Sequence, residues 1–117
     1  MTFLADQYAG PKGCWVEFFG RPASAHKAIA LLALDNNARL SVCASRRLDR
    51  PMRFELYNYA IVDPHEAGNS PGSVRELTQW YTTRLEELIR RTPDQYWWLH
   101  RRWKDPREPK RQKPQAA

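Results

Sequence analysis

Long apolar runs are missing from this chain: the longest, Ala28 to Leu34, is seven residues, whereas a membrane-spanning helix takes about 20. No segment predicts a transmembrane helix. Cysteine is scarce too, with only Cys14 and Cys43 in 117 residues. No secretory leader is read, so a disulfide framework is not expected; a reducing compartment is, with both thiols buried as small hydrophobes. The length leaves room for one modest core and excludes a second domain. Internal repeats are absent. What the chain does have is 42% hydrophobic residues, five Trp and five Tyr, the composition of a globular protein rather than a disordered one.

The net charge of +6 is unevenly placed. Residues 1–100 carry 12 basic and 11 acidic side chains, and residues 101–117 carry seven basic against two acidic. The folded part is therefore nearly neutral, and the basicity belongs to the end of the chain. From Asp105 onward, prolines and charges without an apolar anchor predict a solvated, disordered tail over 106–117.

Met1 to Ala5 reads as a short buried strand ending at Asp6-Gln7, and Cys14 to Phe19 as a second strand ending at Gly20. Ser24 is a candidate cap for a helix to about Asp35, stopped by Asn36-Asn37 and apolar nearly all round, so it must be covered on several sides. Leu40 to Ala44 and Phe54 to Val62 read as strands, with a loop from His65 to Gly72. Ser73 and Glu76 form a capping-box pair ahead of Val74, Leu77, Tyr81, Leu85 and Leu88, which predicts a helix over 73–91. Arg90 and Arg91 suit its C-terminal end, and Pro93 stops it. This order fits the α/β class, a central sheet flanked by helices.

The richest stretch chemically is Tyr96-Trp97-Trp98-Leu99-His100-Arg101-Arg102-Trp103. Amphipathic rings beside arginines suit an anionic membrane interface or a nucleic-acid strand. The plain alternative is that the tryptophans pack the C-terminus onto the sheet while the arginines stay in water. Asp63, His65 and Glu66 are metal-capable types, but no second cluster completes a site, and a solvent-facing loop is the better reading. His26 reads as a structural or surface residue. Asp6 at a strand end reads equally as a turn cap or a site residue.

Three blocks resemble the C-terminal half of the bacterial lipid A late acyltransferases. The first is Asp6-Gln7 followed by Phe18-Phe19-Gly20-Arg21-Pro22-Ala23, the second is the strand Leu40 to Arg47, and the third is the close from Arg90 to Lys104. Asp94 stands there for the usual Glu, Cys43 for the usual Pro, and Ala25-His26 where Thr is common. The resemblance spans residues 1 to about 105. It implies a partial glycerolipid-acyltransferase-like fold with a mixed sheet, and transfer of a fatty acyl chain from an acyl carrier protein thioester to a lipid A precursor. It also implies work at the cytoplasmic face of the inner membrane, on an anionic surface, with neither metal nor prosthetic cofactor. Asp6, Gln7, Phe18, Phe19, Gly20 and Arg21 would shape the acyl or headgroup pocket; His100, Arg101 and Arg102 would hold its wall or meet phosphates.

The resembled enzymes carry a catalytic His with a carboxylate five residues later, in their N-terminal half, and no such block is found here. The one literal match, His100 with Asp105, lies in the wrong block and reads as chance. The chain is thus expected to be a truncated half without catalytic residues of its own, inactive alone. The alternatives are a small basic nucleic-acid-binding module, which the near-neutral first hundred residues disfavour, and a non-catalytic remnant.

Overall fold

A computed structural model describes residues 1–68 and 70–104. The expected tail therefore lies outside the described residues. Strands β1 (Cys14–Phe18) and β2 (Arg21–Ala25) form one antiparallel hairpin, and β3 (Leu40–Arg47) and β4 (Phe54–Val62) form another. Helix α1 (Lys27–Asp35) joins the two, and α2 (Val74–Arg91) follows, then a 3₁₀ turn over Pro93–Gln95. The α/β class holds, with two separate antiparallel sheets in place of one central mixed sheet.

The first hairpin turns through Phe19 and Gly20, both at positive φ (52° and 68°). Primed turns that match the twist of paired strands require this geometry, which glycine adopts freely and phenylalanine does not. Glu86 on α2 compensates: its Oε2 accepts the Phe19 N–H at 2.8 Å. Strand β2 was not expected. Arg-Pro-Ala-Ser-Ala has no alternating pattern, and its extended state comes from pairing with β1. Ser24 is accordingly no helix cap. It is buried in β2, where its hydroxyl donates to the Gly10 carbonyl at 2.5 Å. A Cβ on Gly13 would sit 2.1 Å from that hydroxyl oxygen, so the approach requires glycine there.

Helix α1 starts two residues later than expected, capped by His26 without a side-chain bond, and ends at Asn36 with Asn37 at φ 52°. Only Ile29, Ala30 and Ala33 are buried; Leu31 and Leu32 face solvent, so one face is covered rather than several. Helix α2 is as the sequence predicts, with both halves of the capping box formed between Ser73 and Glu76. Leu77, Tyr81 and Leu88 of its stripe are buried, and Val74 and Leu85 pack beside them. Thr78 and Thr82 turn their hydroxyls back to carbonyls one turn earlier, which lets a buried face carry them. The core of Val16, Ala25, Ile29, Val42, Tyr81 and Leu88 joins both sheets through α2.

Two glutamines act as strand substitutes. Gln79 of α2 pairs both amide atoms with the N–H and C=O of Glu17 (2.8 and 2.9 Å), and Gln95 does the same for Arg47 (2.7 and 3.2 Å). Each satisfies backbone groups that a sheet edge leaves open.

Two expectations fail here. Met1–Ala5 forms no strand: Met1, Phe3 and Leu4 are exposed, and no neighbouring ladder reaches them. Cys43 is exposed rather than buried, while Cys14 is half-buried. Strand β3 also runs on past Ala44 to Arg47, and its register shifts between Val42 and Cys43. A bulge is one of the few places where a sheet tolerates proline. Cys43, which stands for the usual proline, thus sits at such an irregularity.

Candidate functional site

The expected site residues divide into two neighbourhoods. The first is a pair of clefts, about 440 and 220 Å³, that share Asp6 and Leu85 on their borders. The larger lies between residues 1–6, Ile29, Tyr81 and strand β3 at Leu40–Cys43; the smaller continues past Leu88 and Tyr96. The walls are mainly apolar, with Asp6 and Arg39 as the charged residues on the border of the larger cleft and Ser45, Thr92 and Gln95 as polar ones on the smaller. Main-chain contact ties Asp6 in place, its carbonyl accepting the Tyr96 hydroxyl at 3.4 Å. Gln7, beside it, is exposed.

The second neighbourhood is an aromatic knot. The buried Phe18 ring stacks on Trp103 at 5.4 Å, and Phe19 meets Phe18, Trp98 and Trp103 edge-on. Arg21 lies over Trp103 and Arg90 over Phe19, at 5.5 and 4.7 Å. Trp103 Nε1 donates to the Phe18 carbonyl at 3.0 Å. Phe18, Phe19, Gly20 and Arg21 thus bind the close of the chain and border neither cleft.

Arg102 is the unexpected member. It is 1% exposed, donates to the Ser24 carbonyl at 2.5 Å, and lies over Phe18 at 5.2 Å. Burial lowers its pKa from the ordinary arginine value, while Tyr96, Tyr81 and Asp6 oppose that. Arginine still stays charged, because its unperturbed value lies far above neutral pH. Burial likewise pushes the Tyr96 hydroxyl up, and the nearby Asp6 carboxylate adds to it. The anticipated packing is partly inverted: an arginine is inside, while Trp97 is 67% exposed and Trp98 also reaches solvent.

His100 is held by its ring. Nε2 accepts the Tyr8 N–H at 3.0 Å, which fixes the neutral tautomer with its proton on Nδ1. Lys104 lies over the Tyr8 ring at 4.9 Å. The closing block therefore grips segment 6–8 through Tyr96, His100 and Lys104, and the first hairpin through Arg102 and Trp103. Arg101 is exposed. Asp105 lies outside the described residues.

In the 63–66 loop the Asp63 carboxylate accepts the His65 N–H at 3.0 Å and pairs with Arg39 at 3.3 Å. These bonds explain its lowered pKa. The reading of a solvent-facing loop fits them. Sequence reasoning missed Glu86, Gln79 and Gln95, whose roles arise from pairing with distant backbone.

Glu86 supplies a pH prediction. Desolvation raises its pKa, but the Phe19 N–H and Arg90 outweigh it and the net shift is downward. A lowered folded-state pKa means the clasp is fully present above the unfolded value, about 4.3, and is lost as pH falls through the folded one. The Phe19 amide proton should titrate with a midpoint below that of an ordinary glutamate. A midpoint at or above it would remove Glu86 as the partner of this turn.

With this geometry in place, a family model described as bacterial lipid A biosynthesis acyltransferase matches residues 1–105. No curated protein matches the chain.

Proposed function

We propose, because the chain belongs to the bacterial lipid A biosynthesis acyltransferase family, that it forms the acyl-binding side of an enzyme moving a fatty chain from an acyl carrier protein thioester to a lipid A precursor. The match over residues 1–105 carries this reading, and the clefts beside Asp6 support it. At about 440 Å³ the larger is within the usual range of ligand sites, roughly 300–1,000 Å³. Its apolar walls suit hydrocarbon.

In this reading Ile29, Val42 and Leu85 line the acyl chain's path, and Asp6 marks its polar end. Residues 96–104 position Asp6 by gripping segment 6–8. Phe18, Phe19, Gly20 and Arg21 act indirectly, by seating the aromatic knot that holds that grip. Arg102 holds the wall from inside rather than meeting a phosphate, and Arg101, on the surface, is the residue suited to anionic headgroups. General-base catalysis needs a histidine oriented by a carboxylate, and none of the residues here is assigned that role. The place of work is the cytoplasmic face of the inner membrane. Among the described residues no helix is long and apolar enough to cross a membrane. Of the closing block, Arg102 and Trp103 are engaged with the first hairpin while Trp97 and Trp98 reach solvent, so the nucleic-acid reading keeps only part of its aromatic–basic stretch.

Cys43 provides the test, being exposed and on the larger cleft while Cys14 is half-buried and off it. A long-chain acyl carrier protein thioester should slow maleimide labelling of Cys43 by at least about fivefold, with Cys14 unaffected. Unacylated carrier protein should not. Equal Cys43 rates with acylated and unacylated carrier would reject the cleft as the acyl site.

A further inference from the structure

The tip of the β3–β4 hairpin combines charge and apolar surface in a way the cleft does not use. The ladder runs to Arg47 opposite Phe54, and Leu48 N–H extends it to the Arg53 carbonyl at 2.9 Å. A turn closed by Arg53 N–H to the Arg50 carbonyl at 3.3 Å has Pro51 and Met52 at its centre. Proline suits the first of these seats. The second takes positive φ, as Met52 does at 55°, and glycine or asparagine ordinarily fills it. Methionine there costs stability and contributes nothing to the core, since it is 89% exposed. Leu48 is also exposed, and Phe54 is 62% exposed.

Four arginines flank these side chains, against two nearby acids, Asp49 and Glu55. Arg46 is paired with Glu55 and lies over Tyr57. Arg47, Arg50 and Arg53 form no salt bridge among the described residues, and with Thr92 and Gln95 they border a concavity of about 590 Å³. Guanidinium groups match phosphate oxygens. Exposed Met, Leu and Phe on a protruding turn match the acyl boundary just beneath them.

We propose that this hairpin tip docks the protein on an anionic bilayer, Arg47, Arg50 and Arg53 meeting lipid phosphates while Leu48, Met52 and Phe54 enter the headgroup–acyl boundary. The inference deepens the acyltransferase reading and rests on it for a lipid rather than a protein partner. An acidic protein would match the arginines. It would gain little from apolar residues at the end of a turn.

The test is co-sedimentation of the full chain with phosphatidylcholine vesicles, with and without phosphatidylglycerol. Each arginine at an anionic surface is worth about fivefold in partitioning. Arg47→Gln/Arg50→Gln/Arg53→Gln should therefore weaken binding to the anionic vesicles roughly 100-fold at low salt, the gap closing as salt rises. Met52→Asn should keep the fold, because asparagine suits the seat, yet weaken binding on the order of fivefold at low and high salt alike. Thermal melts that match the parent's would show both variants folded. Parent-like binding by the triple variant would overturn the proposal. So would displacement from vesicles by inorganic phosphate at fixed ionic strength, which would indicate a small-anion site. A triple variant that loses acyl carrier protein but keeps vesicles would overturn it in favour of an acidic protein. Cys43 shielding is read separately, so its failure would sink the cleft reading and leave the hairpin result standing.

Discussion

Arg102→Ala should destabilise the chain by about 3 kcal/mol and lower its thermal midpoint by more than about 10 °C. Three losses combine. The side chain is 1% exposed, so truncation leaves a cavity beside Phe18. The Ser24 carbonyl loses its charged donor, keeping only the Ala9 N–H at 3.2 Å. The close of the chain then loses one of its ties to the first hairpin. Arg102→Met, which fills most of the volume, should cost only about 1 kcal/mol. A buried guanidinium without a carboxylate partner carries a desolvation penalty that its removal relieves, and Arg102 Nε has no hydrogen-bond partner among the described residues. Denaturant melts of the two variants separate the roles. If Arg102 served a phosphate instead, alanine and methionine would leave stability near the parent's and alter only ligand binding.

The parts of the fold legible in the sequence are those whose signals are local. Ser73 and Glu76 announce the start of α2, a stripe at three- and four-residue spacing gives its buried face, and Pro93 gives its end. Strand β4 is framed by Pro51 and by Asp63-Pro64. What was not legible depends on distant partners. Arg21–Ala25 becomes a strand because Phe19 can hold positive φ with Glu86 on its N–H, and nothing in Arg-Pro-Ala-Ser-Ala says so. Met1–Ala5 has strand-like composition but no ladder beside it. Composition puts arginines outside and tryptophans inside; the Ser24 carbonyl and the Phe18 ring draw Arg102 in. Order alone singled out Asp6 and the closing block, and the fold brings these two into contact. It places Phe18 to Arg21 in the structure that braces them.

No acyl transfer is expected from this chain alone. A general base needs a free lone pair on an oriented imidazole, and the chain has three histidines to offer. The His100 lone pair on Nε2 accepts the Tyr8 N–H. His26 caps α1 without a side-chain bond, its carbonyl taking the Tyr81 hydroxyl at 3.0 Å. His65 is exposed in its loop, where the Asp63 carboxylate is engaged by a backbone N–H and Arg39. Among the described residues no histidine forms an ion pair with a carboxylate.

The most direct measurement follows purified, folded chain with long-chain acyl carrier protein thioester and a lipid A precursor, alongside His100→Ala. The account predicts acyl-dependent shielding of Cys43 with no acylated lipid from either protein. Turnover by the parent that disappears in His100→Ala would contradict it, since His100 would then be a working base.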